Sequence, residues 1–183
     1  MTKRAFLLAA ALTVAYAGGA TPGSEGAQLG ASAELVNAQG NVVGDANFTE
    51  SSGDDGPFIT VQVGLTPDAG LEPGEYGLHL HEVGACTPTF DAAGDHFNPA
   101  DAQHGLLDPD GAHAGDLPNL VVAADGSTSY VVSTRLATLS EGEASLLDGD
   151  GSAVMIHADA DDYLSDPSGE SGDRIVCGVL QGE

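Results

Sequence analysis

The chain has no tryptophan, two methionines, two cysteines and only four lysines and arginines among 183 residues. Each shortage closes off a class of protein. Four cations against 28 acids argue against nucleic-acid binding, because phosphate recognition needs Lys and Arg, and against docking on an anionic membrane surface. Neither cysteine has a partner at ligand spacing, which argues against a cysteine-built zinc site. No helix-period pattern is convincing and no internal repeat is present; 26 glycines punctuate the chain instead. Acidic chains are often disordered, but here Val, Ile and Leu are plentiful and fall in strand-like runs.

With 42% hydrophobic residues the chain can bury one good core, and one domain is the expectation. Residues 1–17 read as a secretory signal peptide. Lys3-Arg4 is its positive start, Ala5–Val14 an apolar stretch too short to span a bilayer, and Ala15-Tyr16-Ala17 the small-residue cleavage site. Export to the periplasm or the exterior follows, with no membrane association once the signal is removed. The mature chain would then hold Arg135 and Arg174 against all 28 acids, a formal charge of −26. Such a surface suits strong salt, where self-repulsion is screened. Residues 18–30 read as a flexible tether, and residues 31–183 as the folded domain.

Within that domain the runs Ala31–Val36, Asn41–Thr49, Phe58–Val63, Glu75–His81, Leu117–Ala123, Thr128–Thr134, Ala153–His157 and Arg174–Leu180 read as strands. The first two are expected to form a hairpin, as are Leu117–Ala123 with Thr128–Thr134. Glu50–Gly56 reads as a polar loop. Many short strands with frequent turns indicate an all-β sandwich or barrel. Two segments stand out as long loops, from about Glu82 to Asp116 and from Ala158 to Asp173; loops of that length in a compact domain are usually functional or disordered.

All six histidines lie between His79 and His157. His79 and His81 sit two apart in a strand, so both imidazoles point to one face. His96, His104 and His113 follow in the first long loop, each in a Gly- or Asp-rich context. Imidazole nitrogens suit copper and zinc, whereas calcium and magnesium want oxygen. Asp148-Gly149-Asp150-Gly151 lacks a closing Glu and reads as an acidic turn rather than a calcium loop. A zinc hydrolase is a poorer reading, since no free Glu sits beside a three-ligand site in the helical spacing. Cys86 and Cys177, an even pair in an exported chain, read as one disulfide clipping the histidine loop to the last strand; two free buried thiols are the other reading.

Six segments carry a family resemblance: His79-Leu80-His81-Glu82, Gly94–Pro99, Gln103-His104-Gly105, His113–Asn119, Ile156–Asp162 and Arg174–Val179. In this order they resemble the copper,zinc superoxide dismutase family, over roughly residues 31–180. The resemblance implies a Greek-key β-barrel of about eight antiparallel strands with two long functional loops. It implies copper ligands His79, His81, His96 and His157, and zinc ligands His96, His104, His113 and Asp116, with His96 bridging one copper and one zinc per chain. It also implies a Cys86–Cys177 disulfide, Arg174 beside the copper, Asp161 linking a ligand of each metal, and Ser168 in the substrate channel. The implied activity converts superoxide to dioxygen and hydrogen peroxide and protects the cell envelope. The alternative is a non-catalytic copper- or zinc-binding, or copper-delivery, module of the same fold.

The chain departs from the family pattern in its second long loop, which also looks shorter than the eukaryotic version. Where many members steer superoxide with lysines, residues 158–173 have none and carry Asp159, Asp161, Asp162, Asp166, Glu170 and Asp173. Screening by moderate salt is therefore expected to raise turnover. The sequence leaves the oligomeric state open, a homodimer included.

Overall fold

The computed structural model describes residues 28–183. The expected signal peptide and most of the expected tether lie outside that range. Nine strands form one antiparallel sheet: β1 Gly30–Asn37, β2 Val42–Gly53, β3 Gly56–Leu65, β4 Gly74–His81, β5 Asp116–Val122, β6 Tyr130–Thr134, β7 Ala153–His157, β8 Arg174–Val179 and the two-residue β9 Gln181–Gly182. Two single 3-10 turns, Pro67–Ala69 and Phe90–Ala93, are the only helical elements among the described residues.

The strands run in the order β5-β4-β7-β8-β1-β2-β3-β6, with β9 added beside β1. The connections from β3 to β4 and from β6 to β7 join strands that are not neighbours, which makes the barrel a Greek key. The first hairpin forms as the sequence indicates, with the Gly40 N–H donating to the Asn37 carbonyl at 2.8 Å and Gly40 at φ +78°.

Two local expectations are corrected. The stretch Glu50–Gly56 is mostly strand: β2 runs on to Gly53 and turns tightly into β3 at Gly53↔Gly56. Ser52, Asp54 and Asp55 are exposed on a two-strand ribbon, while Glu50 accepts the Leu139 and Ser140 N–H groups, and hydropathy alone cannot tell such a ribbon from a loop. The runs around β5 and β6 are joined by a tight turn but do not form a ladder; β6 pairs with β3 instead, Val61 opposite Val132. Side chains bridge the resulting seam, Tyr130 Oη donating to the Pro118 carbonyl at 2.8 Å and Thr128 Oγ1 to the Val121 carbonyl at 2.7 Å. Pro118 offers no N–H to a ladder, so the barrel is nearly closed there by side chains.

Alternation along most strands builds the core. Leu35, Phe48, Ile59, Val61, Leu78, Leu80, Leu117, Leu120, Ile156 and Val176 point inward and are buried. All five residues of β7 are buried, though only Val154 and Ile156 join that core. Ala153 and Met155 instead pack outside the barrel with Ala93 and Cys177, against Cys86 and Phe90. The outer face of β4, β7 and β8 is therefore roofed by the long loop 82–115. The roof is pinned by backbone hydrogen bonds from Phe97 N to the Leu80 carbonyl and from Leu80 N to the Gly115 carbonyl. A disulfide between Cys86 and Cys177 ties it to β8.

Candidate metal centre

The roofed face is where the histidines meet. Because side chains alternate across a strand, the same residues that put Leu78 and Leu80 into the core turn His79 and His81 outward. Register then adds neighbours. His79 lies opposite Asp116 on β5, and His157 lies opposite Arg174 on β8. An isolated bridge between His81 and His96 brings the loop's first histidine over β4. His104 and His113 close in from the rest of the roof. All six rings and Asp116 are buried, none more than 7% exposed.

Two groups result. His79, His81, His96 and His157 each offer a ligand atom within 4.8 Å of the others, and so do His96, His104, His113 and Asp116. His96 belongs to both. Its Nδ1 lies 2.9 Å from Asp116 Oδ1 and 3.4 Å from His113 Nδ1, while its Nε2 has no hydrogen-bond partner.

Hydrogen bonds fix which nitrogen is bare in His79, His81 and His157. His81 Nδ1 donates to the Gly94 carbonyl at 3.0 Å, and His157 Nδ1 donates to the Gly172 carbonyl at 3.1 Å. His79 Nε2 donates to Asp161 Oδ2 at 2.8 Å, and His104 Nε2 donates to Asp161 Oδ1 at 3.1 Å. A neutral imidazole has one N–H, so the opposite nitrogen keeps its lone pair. Those opposite atoms are His79 Nδ1, His81 Nε2 and His157 Nε2, and all three are buried without a hydrogen-bond partner, whereas His104 Nδ1 faces Asp116 Oδ2 at 3.1 Å. Buried polar atoms left unpaired are costly. Here they point at the common centre of the first group.

The donor sets fit copper and zinc. Four nitrogens suit copper, and three nitrogens with one carboxylate suit tetrahedral zinc. A tetrahedron with bonds near 2.0–2.1 Å has edges of about 3.3–3.4 Å. In the second group, Asp116 oxygens lie 2.9 Å from His96 Nδ1, 3.1 Å from His104 Nδ1 and 3.3 Å from His113 Nδ1.

The electrostatics keep the first group free of protons. Burial, with His96 and His157 adding to it, lowers His79 to about 3, and burial with His96 lowers His81 to about 2. Burial likewise lowers His157 to about 4. His104 goes the other way: burial opposes its charge, but Asp116 and Asp161 outweigh it and raise the ring to about 9. Asp116 would be raised by burial, yet hydrogen bonds from His104, His113, His96 and the Gly105 N–H hold it far below the usual carboxylate range.

Residues 42–180 match the family model described as copper/zinc superoxide dismutase. The chain belongs to that family. It is 45% identical over 161 residues to the superoxide dismutase-like protein YojM of Bacillus subtilis, covering 86% of this chain and 79% of that one. It is 44% identical over 156 residues to superoxide dismutase [Cu-Zn] 2 of Aquifex aeolicus, covering 84% of this chain and 87% of its relative. Among solved structures, a superoxide dismutase-like protein from Bacillus subtilis superposes with a TM-score of 0.74 at 42% identity, over 82% of this chain and 97% of that one. Copper and zinc are the cofactors of the family, and the two donor groups stand ready for them.

Arg174 and Ser168 line a cavity of about 550 Å³ whose wall includes His96, His113 and His157. The Arg174 guanidinium donates to the Phe90 carbonyl at 3.0 Å and the Gly94 carbonyl at 2.8 Å. The Gly94 carbonyl thus holds both Arg174 and His81. Residues that composition and motif reading did not single out do much of the positioning. Asn119 is the clearest: its Nδ2 donates to the Asp161 carbonyl and its Oδ1 accepts the Asp161 N–H, both at 2.9 Å. Its side chain acts as a short strand partner for the loop carrying Asp161. The available signal was its place three residues after Asp116 in a matching motif. Gly169 has φ +64°, and a Cβ there would strike the Asp161 carboxylate.

Proposed function

We propose that this protein is a superoxide dismutase, with copper held by His79, His81, His96 and His157 and zinc by His96, His104, His113 and Asp116. The observation that carries the reading is His96, buried with one nitrogen facing each donor group. Copper held there would supply reversible one-electron chemistry, and zinc a fixed charge that does not change redox state.

The remaining work falls to the chain. Two superoxide anions and two protons give one dioxygen and one hydrogen peroxide. Arg174, its planar fork fixed by two carbonyls, faces the cavity as the positive group that receives a small anion. His96 Nε2 is the atom placed to hold a proton between the two half-reactions and return it to the product, while Nδ1 stays on the zinc side. Asp161 holds His79 and His104 at once, so each group is oriented with reference to the other. Ser168 adds a hydroxyl to the channel wall.

Export to the periplasm or exterior, behind a signal peptide at residues 1–17 and a tether ending near residue 30, belongs to the same proposal. The disulfide supports it, because such bonds persist in oxidising compartments. A metal-binding module without turnover is the second reading, favoured by kinship to a protein named only superoxide dismutase-like. Metal analysis of the purified protein with a superoxide-decay assay, before and after chelation, separates them. One copper and one zinc per chain with chelator-sensitive activity supports the enzyme. Metal uptake with no effect on superoxide decay supports the module.

A further inference from the structure

The cavity above the histidines has a second chemical character that dismutation does not use. Its floor includes His96 and His157, 6% and 3% exposed, whose Nε2 atoms have no hydrogen-bond partner. Its rim carries four exposed carboxylates, Glu82, Asp95, Asp101 and Asp166, against one cation, Arg174. Glu82 follows His81 in the chain and Asp95 precedes His96, and both line the same cavity as His96 and His157. The Asp95 N–H also donates to Glu82 Oε1 at 3.3 Å. For an anionic substrate this rim has the wrong sign, since a cleft lined by one charge concentrates ions of the other.

We propose that the rim is a capture site for copper ions, an electrostatic vestibule that speeds their delivery to the buried nitrogens below. This rests on the copper assignment made above. None of the four carboxylates belongs to a group that converges on one ion, so the rim gathers cations without chelating them. Oxygen donors bind copper less well than imidazole, and a captured ion therefore passes inward to His157 and His96. The same charges slow superoxide entry, so copper uptake and substrate entry respond to salt in opposite directions.

The test is the rate of copper uptake by the zinc-loaded, copper-free protein, mixed with copper(II) chloride in a non-coordinating buffer and followed by the absorbance of the copper-histidine chromophore. Raising NaCl from about 10 mM to about 500 mM should slow uptake roughly tenfold or more. The exposed-site variant Glu82→Gln/Asp95→Asn/Asp101→Asn should slow low-salt uptake by about five- to tenfold and flatten the salt slope. Asp101 has φ +52°, a conformation Asn adopts readily. Asp166 is left alone because it accepts the His104 N–H at 3.0 Å.

A control of equal charge, Asp54→Asn/Asp55→Asn/Asp68→Asn, changes acids around β2 and β3, which contribute nothing to the cavity wall. It should stay within about twofold of the unaltered protein. The vestibule is overturned if the control slows uptake as much as the rim variant, or if the rim variant takes up copper at the unaltered rate. Equilibrium copper content separates this from failure of the site itself. One copper per chain in every variant with unaltered rates removes the vestibule alone, whereas no copper in the unaltered protein at equilibrium removes both.

Discussion

Replacing Asp161 by Asn tests how the two halves of the centre are coupled. The Asp161 carboxylate accepts His79 Nε2–H at 2.8 Å on one oxygen, and His104 Nε2–H at 3.1 Å with the Tyr163 N–H at 2.6 Å on the other. An amide of the same shape has one acceptor oxygen, and its other end is a second donor. One imidazole N–H must then face an N–H, and a bond to a charged group, worth about 1.5–3 kcal/mol, is lost. The copper side should tolerate this better, because Gly94 and Gly172 carbonyls hold His81 and His157 independently. On the zinc side, Asp161 is what orients the far nitrogen of His104. Zinc affinity should fall about 10–100-fold, the usual cost of losing such an orienting group, with a smaller fall for copper. Competition against calibrated chelators measures both. Unchanged zinc affinity, or a copper loss exceeding the zinc loss, would refute the reasoning.

Other outcomes follow from the same structure. Superoxide turnover should rise about two- to fivefold as salt goes from roughly 10 to 150 mM, because screening relieves repulsion by the acidic body and rim; a steady decline over that range contradicts the charge argument. In the metal-free protein His104 is raised to about 9, so it carries a proton near neutral pH. Zinc must displace that proton, and calorimetry near pH 7.5 in buffers of different ionisation enthalpy should show about one proton released; zero release counts against it. Metal-free stability has two pH limbs. His79, His81 and His157 resist protonation in the fold, so the unfolded chain takes up more protons below pH 6.5 and stability drops as pH falls from there toward about 4. The His104 contribution is complete below pH 6.5 and is lost as pH rises through about 9; denaturant melts across pH check both signs. Removing the disulfide as Cys86→Ser/Cys177→Ser opens a closure of 91 residues, worth about 4–5 kcal/mol in the chain-entropy model. That predicts a Tm lower by roughly 10–20 °C, and a drop of only a degree or two would show that the roof does not need it.

Sequence by itself determined the features that depend on near neighbours along the chain. Two-residue alternation marked most strands and put His79 and His81 on one face, and the donor types already pointed to copper and zinc. The same locality misled at Glu50–Gly53, where an exposed ribbon has the polarity of a loop, and at β5 and β6, where a tight turn suggested a hairpin. Only the tertiary structure decided which distant groups meet. Barrel closure set β6 against β3, register placed His79 opposite Asp116, and loop packing brought Asp161 and Asn119 together across 42 positions. It also chose the bare nitrogen of His79, His81 and His157, because the Asp161 carboxylate and the carbonyls of Gly94 and Gly172 take the other N–H. A strand's period is written in a handful of consecutive residues; the meeting of side chains 40 to 80 positions apart is fixed by how the whole barrel closes.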